Sequence, residues 1–176
     1  MLAYHGSCVT GLARLRPFHR QGSNYDAPVV YLSTLPAVAA LYVYNKPFKW
    51  LTYGFDVNGK PVYTESFPDS LSYFYRGVSG CVYACDGDFE YVESVGIRCA
   101  VISRAEVSVS DTLVVPDAYE FLLQAERDGE LSILRYNEHT ASRRARTERM
   151  VRRAIESERD EPGFAEFAAE VFPEFW

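Results

Sequence analysis

Residues 29–44 read VVYLSTLPAVAALYVY. The first five, Val29-Val30-Tyr31-Leu32-Ser33, are β-branched, aromatic or small and predict a strand. Pro36 follows at a first helical position, where its missing N–H costs nothing and its fixed φ suits the helix, and the alanine-rich run AVAALYVY continues from it. A strand hands over directly to a helix, and the rest of the chain is read outward from that junction.

Upstream, Tyr4 and His5 close a first short strand. Leu12 to Asp26 holds Pro17, Gly22, Ser23, Asn24 and Asp26 without a sustained period and reads as a long loop. Downstream, Trp50 to Val57 and Pro61 to Phe67 flank Asn58-Gly59, a hairpin signal because both residues accept positive φ. Leu71, Phe74 and Tyr75 mark a helical turn, followed by strands near Cys81 to Cys85, Gly96 to Ser103 and Glu106 to Val109. From Pro116 the period becomes helical: Ala118, Phe121, Leu122 and Ala125 share one face. Thr140 caps a polar helix to about Glu158, Pro162-Gly163 breaks it, and Phe164 to Phe172 forms an amphipathic finish. Strands first and helices last imply an α+β domain, with 1–176 as one unit and 116–176 as its helical portion.

The bulk properties agree with a folded domain. Of 176 residues, 48% are hydrophobic and 15% aromatic, which excludes a disordered chain. No apolar run nears the roughly 20 residues of a membrane helix, and Met1 to His5 lacks the basic and apolar start of a signal peptide, so the expected compartment is the cytoplasm with no membrane contact. Cys8, Cys81, Cys85 and Cys99 have no metal-site spacing, and no metal is expected. The formal net charge of −6 opposes a general affinity for nucleic acid, but 143–153, RRARTERMVRR, is strongly basic. That run reads either as a solvated helix face interleaved with Glu148 and Glu156 or as a dock for an acidic, phosphate-bearing partner.

Three short motifs occur in order: Tyr4-His5-Gly6-Ser7, Val30-Tyr31-Leu32-Ser33-Thr34 and Ala105-Glu106-Val107. They resemble the His, Tyr, Glu triad of the diphtheria-toxin-like and poly(ADP-ribose) polymerase-like branch of the ADP-ribosyltransferase superfamily. Tyr42 stands eleven residues after Tyr31, where many of these enzymes place a second aromatic, and AEVSVSDTLVVP at 105–116 looks like the glutamate-bearing strand of bacterial DNA-targeting toxins of that superfamily. The resemblance covers about a third of the chain. It implies split antiparallel β-sheets around an NAD cleft, with NAD as co-substrate.

On that resemblance Glu106 is the catalytic carboxylate, holding the positive charge that develops as the nicotinamide–ribose bond breaks. Tyr31 and Tyr42 sandwich the nicotinamide, His5 positions a ribose through a ring N–H, Gly6 lets backbone groups approach the amide, and Ser33 adds a hydroxyl. Two positions depart from the pattern. Ala39 stands where polymerase-type members carry a serine, and Arg104 stands where arginine-modifying members carry Glu or Gln. The expected reaction is transfer of ADP-ribose to an acceptor that the sequence does not specify: protein, nucleic acid or small molecule. The alternatives are an RNA 2′-phosphotransferase-like enzyme, which needs basic side chains in the pocket itself, and a non-catalytic nucleotide-binding module. Read singly, each residue has a plainer role. His5 would be a packed histidine, Tyr31 and Tyr42 core aromatics, and Glu106 a solvent-facing strand residue, with Glu65, Glu90 and Glu93 competing for the catalytic place.

Overall fold

The computed structural model describes residues 1–19, 25–48, 50, 52–92 and 97–176. Within them the strands are β1 (Leu2–Ser7), β2 (Arg14–Leu15), β3 (Val30–Ser33), β4 (Tyr53–Phe55), β5 (Pro61–Thr64), β6 (Gly80–Asp86), β7 (Glu90–Tyr91), β8 (Ala100–Ser103), β9 (Val107–Ser108), β10 (Asp111–Val115) and β11 (Ser132–Leu134). The α-helices are α1 (Pro36–Ala40), α2 (Ser70–Tyr75), α3 (Ala118–Arg127), α4 (Ala141–Ser157) and α5 (Phe164–Val171). The protein is α+β, with several antiparallel sheets and its longest helices at the C-terminal end.

Six strands form one sheet in the order β10-β6-β1-β3-β8-β7, every pair antiparallel. The β1–β6 ladder is registered along all of β1, from Leu2 against Asp86 to Ser7 against Cys81. On its other side β1 meets β3 at one registered pair, Tyr4 with Ser33. Past that pair a side chain takes over, and the Nδ1–H of His5 donates to the Tyr31 carbonyl at 2.9 Å.

The sheet is covered on both faces. Ala3, Val30, Leu32, Cys85 and Val101 bury on one side with Leu15 and Val107 of the β2–β9 ribbon. On the other side a larger cluster draws side chains from all five helices, including Leu71, Leu122, Ile155 and Phe167. Residues 116–176 therefore share a core with the N-terminal strands.

Local chemistry explains several boundaries. Pro36 starts α1 as expected, but the helix ends at Ala40 rather than running to Tyr44. Leu41, Tyr42 and Val43 donate to the carbonyls of Val38, Ala39 and Ala40 three residues back, which tightens the last turn and stops it. At the hairpin only Gly59 takes positive φ, at 83°, and Asn58 does not. Asp56 organises this turn instead, its Oδ1 accepting from the N–H groups of Asn58 at 2.9 Å and Lys60 at 2.8 Å. The Thr140 cap is present, accepting from Arg143 N at 3.3 Å.

The expected loop from Leu12 to Asp26 contains β2 and an isolated bridge between Phe18 and Val29, while Gly22, Ser23 and Asn24 lie outside the described residues. So do Leu51 in the first hairpin arm and Gly96, the expected start of β8. Three strands had no expectation: β7, β10 and β11, the last pairing in parallel with β5.

Candidate functional site

A cavity of about 120 Å³ opens where β1 and β3 part. Tyr4, His5 and Gly6 line it from β1, Tyr31, Leu32 and Ser33 from β3, and Val38, Ala39 and Tyr42 from α1 and its exit turn. His5, Gly6, Tyr31, Ser33 and Tyr42, expected from three separate stretches of sequence, thus share one wall-to-wall space. Phe18, Tyr53, Cys99 and Ala100 also line it.

The electrostatics of His5 follow from its surroundings. Burial lowers its pKa below the usual histidine value, opposed by its bond to the Tyr31 carbonyl, so at neutral pH the ring is uncharged. A carbonyl only accepts, which puts the proton on Nδ1 and leaves Nε2 a lone pair. This corrects the expected role: the ring N–H is already spent, and a ligand hydroxyl would donate to His5 rather than receive from it.

Gly6 also needs a different explanation. A Cβ there would fall on the carbonyl oxygen of Ala39, so the glycine is required first by the close crossing of α1 over β1. Tyr31 is half-buried, its ring edge-on to Phe18 at 6.1 Å and tilted to Tyr25 at 6.2 Å. Tyr42 is 36% exposed, at the mouth of the cavity. Burial, together with Tyr42 and its hydrogen bond, raises the Tyr53 phenol well above its usual range, so Tyr53 is a neutral donor.

Ser33 is buried, and its Oγ accepts from Leu35 N at 3.0 Å. It also hydrogen-bonds the Cys99 thiol, which burial nonetheless keeps protonated. Cys8 is half-buried and Cys81, Cys85 and Cys99 are buried, all as free thiols. Ala39 does lie on the cavity wall and brings no hydroxyl. Among the described residues no group of His, Cys, Asp or Glu has a metal-binding arrangement.

Glu106 is not part of this wall. It precedes β9 rather than lying on it, because the strand begins at Val107. Its carboxylate is exposed and held by two arginines of the preceding ribbon, Arg14 at 2.8 Å and Arg16 at 3.2 Å. The hydrogen bond from Arg14, with Arg16 beside it, keeps the carboxyl below the usual range and ionised. Arg14 and Arg16 line a second, shallower groove that shares His5 and Phe18 with the first cavity. Glu106 therefore touches the adjoining groove only through its bonds to Arg14 and Arg16.

The competing glutamates have structural duties. Glu65 is buried and accepts from Leu71 N at 3.1 Å and Tyr136 N at 3.0 Å. Glu90 pairs with Arg104 at 3.3 Å on the sheet edge, and Glu93 lies outside the described residues. Phe18, Tyr53, Cys99, Arg14 and Arg16 were not anticipated. Tyr53 is adjacent in sequence only to hairpin residues, and Arg14 and Arg16 sit in a stretch with no period, so nothing local distinguished them.

No protein-family model, curated protein or solved structure matches this chain. The chemistry of the site itself is therefore what bears on function.

Proposed function

We propose that this protein is an NAD-dependent ADP-ribosyltransferase, with the nicotinamide end of NAD in the cavity between β1 and β3. One observation carries the reading. His5, Gly6, Tyr31, Ser33 and Tyr42 converge in a single cavity at the point where the central sheet parts, an arrangement that fits split sheets around a dinucleotide cleft.

The residues fit the ligand. Tyr31 and Tyr42 offer aromatic faces to a flat, electron-poor ring, a contact worth on the order of 1 kcal/mol beyond burial. Nε2 of His5 accepts from a ribose hydroxyl, and Ser33 supplies a hydroxyl that the alanine at 39 does not. Arg14 and Arg16, in the adjoining groove, offer guanidinium donors to the diphosphate.

Glu106 is bonded to the same guanidiniums, so an anion drawing on those donors competes with the carboxylate and frees it toward the ribose. An ionised carboxylate there stabilises the cationic sugar while the C–N bond to nicotinamide breaks, and accepts the proton of the acceptor as the new bond to the anomeric carbon forms.

A second reading is a nucleotide-binding module without turnover. It is favoured by the absence of any carboxylate among the described residues lining the cavity and by the engagement of Glu106 with arginines.

Nicotinamide release from NAD, measured with and without cell extract, tests both. Wild type should release nicotinamide, Glu106→Gln should lose on the order of a hundredfold in kcat, and Tyr31→Ala should raise KM for NAD. Saturable NAD binding without release under any condition would remove the transferase and leave the binding module.

A further inference from the structure

Between the β4–β5 hairpin and α4 runs a groove of about 630 Å³, which meets the first cavity at Tyr53. Arg143, Arg146 and Arg149 line it from the helix, and Thr64, Ser66 and Tyr53 from the hairpin side. All three arginines are exposed, and among the described residues no carboxylate pairs with any of them. By contrast Arg152, on the same helix, is paired with Glu148 at 3.2 Å. The segment 143–153 holds six arginines against one glutamate in a chain of net charge −6, so an anionic partner finds its attraction concentrated here.

We infer that this groove binds a single-stranded nucleic acid and presents it as the acceptor at the neighbouring cavity. Three features select that partner. The arginines recur every three residues, about 4.5 Å apart along the helix axis, giving a row of cations that a regularly charged backbone follows. Threonine and serine hydroxyls interleave with them, and such hydroxyls share phosphate and sugar contacts with arginine in nucleic-acid sites. Tyr53 is a wall of both the groove and the cavity, an aromatic on which a base stacks at the junction of the two.

The acceptor assignment rests on the transferase reading; strand binding does not, and the experiment separates them. A fluorescent oligonucleotide of roughly twelve nucleotides is titrated with the protein in the absence of NAD, and binding is read by anisotropy over a series of salt concentrations. Wild type should bind with a log–log salt slope of about −2, the value for three phosphate contacts on a single strand. Arg146→Glu and Arg149→Glu should each weaken binding at least about tenfold and flatten the slope, and Tyr53→Ala should weaken it with the slope unchanged. Arg127→Glu, the same charge change on α3 outside the groove, should bind within about twofold of wild type.

No binding by wild type, equal losses at Arg127 and Arg146, or tighter binding of a polyglutamate peptide than of the strand would each overturn the groove assignment. Circular dichroism of each variant identifies any that fails to fold, and the double Arg146→Lys, Arg149→Lys variant, which keeps the charge, should retain most of the affinity. Label transfer from radiolabelled NAD to the bound strand supports the acceptor role. Transfer to protein in the extract with none to the strand overturns that role, whereas absence of nicotinamide release sinks the transferase reading and leaves the strand titration to decide the groove.

Discussion

The imidazole of His5 is fixed by one bond, Nδ1–H to the Tyr31 carbonyl, and that bond ties the chemistry of the cavity to its shape. The two strands it spans have a single registered pair, so the histidine both crosses the parting in the sheet and aims Nε2 away from it. Protonation would convert Nε2 from acceptor to donor and cost the site its lone pair. Burial lowers the pKa, so the neutral form prevails at pH 7 and is lost only as pH falls through a value below about 6.5. On the transferase reading proposed above, NAD affinity measured by calorimetry should therefore be constant from neutral to mildly alkaline pH and decline on acidification, and His5→Ala should be weak and flat over the same range. An affinity that improved on acidification would mean the charged ring is the binding form. This residue and Tyr31 were legible because each sits in a short strand motif, although β1 runs on to Ser7 rather than closing at His5. Arg14 and Arg16 were not, since what gives them significance is their pairing with Glu106 some ninety positions away.

At the scale of elements, the caps decide which helices hold their places. Asp117 caps α3 with Oδ1, which accepts from Tyr119 N at 2.9 Å and Glu120 N at 3.2 Å. Its Oδ2 accepts from Gly77 N at 2.9 Å and so stitches the exit of α2 to the start of α3. Thr140 satisfies one donor at the start of α4. Asp117→Ala should accordingly cost about 2 kcal/mol and Thr140→Ala about 1 kcal/mol, measured by urea denaturation. Equal costs would show that the link to Gly77 contributes nothing. The period was readable in α3 and α5, and the Thr140 cap in α4, because these signals are local; the Asp117 cap was not anticipated. Strands β7, β10 and β11 escaped notice because they are short, and in β10 four of five residues are exposed at a sheet edge. With both faces solvated over Asp111–Val114 and no partner in sequence range, DTLVV carries no alternation to read. Glu106 was expected on a strand for the opposite reason: the alternating EVSV is strand-like, but pairing with β2 begins only at Val107.

For the whole molecule, the consequence of this assembly is a directed sensitivity to acid. His5 and His139 have lowered pKa values, both chiefly from burial, with Arg143 and Arg144 adding to the effect on His139. Glu126 is lowered by its bidentate bond to Arg135, with contacts of 2.7 and 2.6 Å. Each of these groups binds protons more readily unfolded than folded, so each contributes stability that is complete above its unfolded pKa and disappears as pH falls through its folded one. The histidine contribution begins to fade below about pH 6.5 and the carboxylate contribution below about 4.5, giving a two-stage loss on acidification. His139 offers the sharper test. It is 5% exposed, and neither ring nitrogen has a hydrogen-bond partner among the described residues. Its burial therefore leaves a donor and an acceptor unsatisfied, a cost on the order of 1–3 kcal/mol that an apolar side chain of similar volume would not bear. His139→Leu should raise the unfolding free energy at pH 7 and shallow its decline between about pH 6.5 and 5, as followed by urea denaturation at a series of pH values. A less stable variant with the wild-type slope would mean that the imidazole is held by polar contacts after all, and that His5 alone accounts for the first stage.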